Sequence, residues 1–397
     1  FNGGLTATAP SASTLKGTIT SSDDAMSFGP ITLGANTTLN TAAVINVADL
    51  SIGAVTGATY NLALRTGAVS GATITGTSTS GVGTLTITNS GGTTFSGAVS
   101  AGSLTITDSV ASTAVTFNGD LTLTTGMTVS AGTAAYNVAI NGTTNTIAGA
   151  TTFANTGTLA LGNGSDTINF TGGVVATAPS GVTVNGTVTA AGTGVITLGD
   201  SNTGVTIGGT STIGGTSTGQ ITTGAIALNN NLTVGAGATT PITLTTVTGP
   251  SSGSANLTIN TAGAVTVGGA VGTNVGTLTI ANSGGTTFSG TVAATTVTLT
   301  NTTGSIVFND ALTATTLNTA AQAYNVELNG ASGTLTNAVT FSNTGALALG
   351  ASGGTLTFNG GLTATAPSAS TLKGTITSSN DAMSFGPITL GANTTLN

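Results

Sequence analysis

The feature that most constrains this chain is a short text that comes back. Residues 83–108 read GTLTITNSGGTTFSGAVSAGSLTITD, and residues 276–301 read GTLTIANSGGTTFSGTVAATTVTLTN. Leu85 and Ile87 alternate with Thr84, Thr86 and Thr88, so one face of the run is apolar and the other carries hydroxyls. Asn89, Ser90, Gly91 and Gly92 then break the run with residues that tolerate positive φ. A second short strand is predicted over Thr94, Phe95 and Val99, and a third over Leu104 and Ile106. Strand, turn, strand, turn, strand in about twenty residues is the rhythm of a solenoid turn, too small to bury a core alone.

The repetition runs on three scales. Residues 1–40 recur at 358–397 with one change, Asp23 becoming Asn380, which sets a period of 357. Within it lies a diverged echo at an offset of 188: TGGVVATAPS ending at Ser180 answers NGGLTATAPS ending at Ser368, and Tyr136 answers Tyr324. The finest scale is the turn. Like residues recur at short steps, from Phe153 to Phe170, Leu85 to Leu104, Phe288 to Phe308 and Phe95 to Phe117. The expected fold is therefore all-β, a parallel β-helix (β-solenoid) of roughly 17–22 residues per coil and about 20 coils. We read residues 1–397 as one continuous solenoid cut from a longer tandem array, with sub-repeats 1–169 and 170–357 and the next copy starting at 358.

Composition supports strands. Only 3% of the 397 residues are charged, against about 25% in an ordinary soluble domain. Helix formers with long charged side chains are nearly missing, while Thr and Val are abundant. Lys16, Arg65 and Lys373 are the only cations, too few for the basic patch that nucleic acid requires. No run approaches the roughly 18 apolar residues of a membrane helix. Phe28, Phe95, Phe117, Phe153 and Phe170 are spaced for aromatic ladders, and Tyr136 and Tyr324 for packing at the rim of the core. Prolines such as Pro30 and Pro250 fall at strand starts or turns, where a missing N–H costs no ladder bond.

No catalytic constellation is legible, and the chain is expected not to be an enzyme. Without His or Cys the usual nucleophile–base pairs are unavailable. Asp23 and Asp24 are the one adjacent acidic pair, and Asn380 replaces the first in the second copy. Residues 163–168, NGSDTI, look like one turn of a calcium-binding nonapeptide array and make Asp166 the one metal candidate; the plain alternative is a chance Asn/Asp turn. Asp108, Asp120, Asp200 and Asp310 are further loop carboxylates. No cofactor is expected, and calcium at Asp166 is the one alternative weighed. Rows such as Thr84-Thr86-Thr88 and Thr105-Thr107 are either plain strand surface or a lattice-matching face for polysaccharide or ice.

Segments such as TLTITNSGGTTFSGAVSAGSLTITDS resemble the β-strand repeats of large bacterial surface proteins of the filamentous-haemagglutinin and autotransporter-adhesin type. That resemblance implies a parallel β-helical shaft at the bacterial cell surface or in its matrix. The expected function is a stiff extracellular filament or stalk, adhesive or matrix-forming. It would self-associate end to end or laterally, with surface glycans as further partners. The rival reading is a β-helical carbohydrate- or lattice-binding module.

Overall fold

The computed structural model describes residues 1–397, save the side chain of Thr273. Every regular element among the described residues is a β-strand, and no helix is long and apolar enough to cross a membrane. The fold is an all-β parallel β-solenoid of about 19 turns with about 21 residues per turn. Contacts divide it into two compact units, Phe1–Thr203 and Gly204–Asn397.

In both units the strand pairings among the described residues are parallel and join segments one turn apart, even where the two strands follow one another in the chain. The step varies: Ser13 pairs with Ile31 across a short turn, and Thr37 with Leu62 across a long one. Parallel pairing needs a crossover, and here the rest of the turn supplies it. Alternation then decides which face is inside. Leu39, Leu64, Ile87, Ile106, Val129 and Phe153 form one buried column in the first unit. Ile213, Val234, Ile259, Ile280 and Leu299 form its counterpart in the second. Each such side chain is worth about 1.5–3 kcal/mol when fully buried. A single turn cannot realise that gain, because the cover comes from the turns on either side.

Local chemistry sets the details. Pro30, Pro241 and Pro387 each precede a strand, Ile31–Ala43, Ile242–Leu244 and Ile388–Leu396. Having no N–H to donate, they still accept through their carbonyls, from Ser13, Ile221 and Ser370. One interior glycine is forced by its neighbour. Gly76 sits between Ile52 and Phe95 in a buried column, and a Cβ there would lie 2.4 Å from the Phe95 ring.

The structure corrects two details of the expected turn. Val99 does not join Thr94 and Phe95; it opens a strand, Val99–Ile106, that carries Leu104 and Ile106, while Thr93–Phe95 stands alone. Only some of the phenylalanines form ladders. Phe95 stacks on Phe117 with ring centres 5.8 Å apart, and Phe288 on Phe308 at 4.8 Å, each one turn away. Phe153 and Phe170 meet edge to face at 6.0 Å, as do Phe341 and Phe358 at 6.4 Å. Phe170 has Ile147 as its ladder partner and Phe153 has Val129, so the short step between the two rings crosses the core within a turn. Phe28 has Ala7 and Ile52 as its column neighbours, neither of them a ring.

Candidate functional site: hydroxyl rows, carboxylates and an apolar loop

The hydroxyl rows are in register. Thr84 pairs with Ser103, their oxygens 3.0 Å apart, and Thr86 pairs with Thr105. Thr88 and Thr107 continue the pattern, with hydroxyls 2.8 Å apart. The column from Thr86 runs on through Thr105, Thr128 and Thr152. In the second unit Thr212, Thr233, Thr258, Thr279 and Thr298 stack before Asn318 ends the run. Beside it Thr277, Thr296 and Thr316 form a parallel column. Strand geometry spaces such hydroxyls at about 4.8 Å between turns and about 6.6 Å along a strand. The result is a neutral grid of donors and acceptors, partly satisfied by its own members.

Each carboxylate singled out in these loops accepts a backbone N–H, from its own loop or, for Asp120, from the start of a strand in the next coil. Asp166 is buried and accepts the Asn163 N–H at 2.7 Å, closing the loop that bulges between Leu161 and its own strand position. Asp108 takes the Ser109 N–H at 2.9 Å and the Thr133 hydroxyl at 2.6 Å. Asp120 takes the Thr144 N–H, Asp200 those of Asn202 and Thr203, and Asp310 that of Ala311. Among the described residues no three His, Cys, Asp or Glu side chains converge as a metal site would need.

Asp23 has the fullest set. Its carboxylate accepts N–H bonds from Val44 at 2.8 Å, Asn46 at 3.1 Å and Ile45 at 3.3 Å, and from the Asn46 side-chain amide at 2.9 Å. These donors, the Val44 N–H first, hold its carboxyl below the usual range. The residue itself sits at φ 62°, a left-handed position that Asp and Asn tolerate. Its neighbour Asp24 takes no part in these bonds. The loop that Asp23 holds exposes Val44, Ile45 and Val47 beside a groove of about 420 Å³ lined by Asn40, Ala43, Arg65, Val69 and Asn89, among others.

Tyr136 and Tyr324 are buried, each with its hydroxyl held by a backbone carbonyl. The Tyr136 hydroxyl donates to the Ser130 carbonyl at 2.5 Å, and that of Tyr324 to the Leu299 carbonyl at 2.8 Å. Burial pushes the Tyr324 phenol up to about 12, against a partial offset from the Ala320 N–H. Burial raises Tyr136 further, with the nearby Asp108 charge adding to it.

Two interior features escape a reading of the sequence. Ser90 and Ser109 are buried and lie one turn apart, 3.2 Å between oxygens; Ser283 and Thr302 repeat this at 2.8 Å. The signal was the shared Asn-Ser-Gly-Gly, which reads only as a turn. Asn155 and Asn343 occupy matching places in the two sub-repeats and are likewise buried, each donating to a tyrosine carbonyl at 3.1 Å. Their side-chain oxygens have no partner in either copy.

The class is thus defined by the fold: a parallel β-solenoid with hydroxyl-bearing faces. Comparison with family models, curated proteins and solved structures returned no match.

Proposed function

We propose that this chain is a structural component of an extracellular bacterial surface filament or stalk, with a mechanical rather than a catalytic task. The observation that carries the reading is the run of buried columns that continue from turn to turn within each unit, such as Leu39 to Phe153. Backbone ladders along the stacking direction and side-chain stacks inside resist bending and stretching together. A surface with three cations in 397 residues also offers few sites to trypsin-like proteases. On this reading the chain needs no resident metal or cofactor, and its main partner is itself. Negative-stain images should show rods or filaments; compact globular particles would overturn the proposal.

A second reading has its own support. The grid of Thr84, Thr86 and Thr88 over Ser103, Thr105 and Thr107 could recognise a regular polysaccharide or ice surface. If so, Thr86→Lys with Thr105→Lys abolishes retention on the matching polysaccharide or loses activity against ice growth. Unchanged behaviour would leave the grid as plain strand surface.

A further inference from the structure

A groove on the first unit carries opposite charges on either side of its midpoint. Its two hollows, of about 420 Å³ and about 270 Å³, meet at Ala68 and Asn89. Successive turns line it in order: Asn40, Arg65, Asn89, Asp108 and Thr133. The groove therefore runs along the stacking direction, with Asn89 in the middle. Arg65 lies one turn below Asn89 and Asp108 one turn above, about 4.8 Å away along the stack in each direction. Arg65 is exposed, and among the described residues no hydrogen bond or ion pair engages its side chain. Asp108 accepts from Ser109 and Thr133 and keeps lone pairs on both oxygens.

The two ends differ in shape. Two turns below Asn89, the loop held by Asp23 raises Val44, Ile45 and Val47, which are 77%, 84% and 60% exposed. Above Asn89, Val110, Ala111 and Ala134 line the smaller hollow. Apolar side chains raised together on a surface mark an interaction site. The strands below the groove are paired on both sides, so no edge is left for an added peptide strand.

The second unit carries the same column without the charges. The shared text sets Asn282 where Asn89 stands and Asn301 where Asp108 stands. Asn260, the ladder partner of Asn282, takes the place of Arg65. There the amides bond one another, Asn301 donating to Asn282 at 3.4 Å. In the first unit a cation and an anion replace the two outer amides.

We infer that this groove is the contact between two copies of the chain, paired antiparallel about a two-fold axis that crosses it at Asn89. This deepens the filament reading, on which its purpose rests, by naming a lateral contact between copies. The axis exchanges the turns below Asn89 with those above. Arg65 of each copy then meets the partner's Asp108 in a charge-assisted bond. The Val44 and Ile45 loop of each copy enters the hollow lined by Val110, Ala111 and Ala134 in the other. Every contact is made twice, as in any isologous interface. Parallel pairing would set Arg65 against Arg65 and loop against loop, so the charges select the antiparallel arrangement.

The test reverses the charges in the full chain. The wild type should sediment as pairs, or as larger species built from pairs. Arg65→Asp opposes carboxylates and Asp108→Arg opposes guanidinium groups, so each alone should halve the sedimenting mass. An equimolar mixture of the two variants restores both contacts and should return to the wild-type mass. Single variants at the wild-type mass, or a mixture that stays at half, would overturn the pairing. Far-UV circular dichroism checks folding, and because Asp108 also holds its own loop, a second measurement leaves it intact. Ile45→Cys is mixed with Ala134→Cys, in a chain that has no cysteine of its own. Oxidation should give a 45–134 cross-link as the main product, mapped by mass spectrometry. A 45–45 product in its place would mean parallel pairing and contradict the proposal. A monomeric wild type held on immobilised polygalacturonate through Arg65 would give the groove to an acidic glycan and equally contradict it. Negative stain keeps the two readings apart. Rods of unpaired chains leave the filament reading standing, whereas compact paired particles remove that reading and keep the contact.

Discussion

The first and last forty residues of this chain are nearly one sequence, yet Leu33 is in a core and Leu390 is in solvent. Local structure cannot explain the difference, because strand starts, register shift and proline-capped entry are shared. What differs is the turn above. The apolar alternation of a segment therefore determines only which side chains face the axis of stacking. Whether they are buried is decided by another segment about 21 residues away. Interior and surface are relations between turns here, as expected when each repeat touches only its neighbours.

Substitutions at matched positions test this comparison most severely. Leu33→Asp places an unpaired charge in a dry column and should cost about 4 kcal/mol or more. Leu390→Asp should cost less than about 0.5 kcal/mol in the isolated molecule, as a surface change. Urea unfolding followed by circular dichroism measures both, and equal losses would break the comparison. A smaller effect comes from the covered turns alone. The folded chain keeps the Tyr324 proton up to about pH 12, whereas an ordinary phenol loses it near 10. Its stabilisation is complete below pH 10 and is lost as pH rises toward 12. Tyr324→Phe should flatten the fall of stability across that window, and an unchanged slope would contradict the assigned burial.

The smallest effect is local. Asp23→Asn makes the first copy match the last and should lower hydrogen-exchange protection at Val44, Ile45 and Asn46 without a global change. In the native chain the same loosening should appear on acidification. Asp23 has a depressed pKa, so its support is present above the ordinary carboxylate range and lost as pH falls through the lowered value.

Much of this was legible beforehand because period-two alternation and glycine-bearing turns are local signals. Leu85 and Ile87 face inward and Thr84 and Thr86 outward, as the text GTLTIT indicates. The repeat text also carried the turn length. The errors came where two distances look alike in sequence. The short step between Phe153 and Phe170 resembles a small turn, but the rings face each other across one. Val99 follows Phe95 closely, but the corner between them turns the chain onto another face. Burial of Ser90, Ser109 and Asn155 was invisible because polar residues beside glycine look like solvated turns. The exposure of Val44, Ile45 and Val47 was hidden for the opposite reason: apolar residues beside a strand look like core, whereas this loop, whose Val44, Ile45 and Asn46 N–H groups donate to Asp23, lies at the surface.

The central claim is that every strand finds its partners one turn away in parallel. Solid-state NMR on uniformly labelled protein tests it directly through inter-residue backbone contacts. Contacts are predicted at separations centred on about 21 residues, including Thr86 with Thr105 and Thr279 with Thr298. A map dominated by antiparallel contacts closing across short hairpins would contradict it.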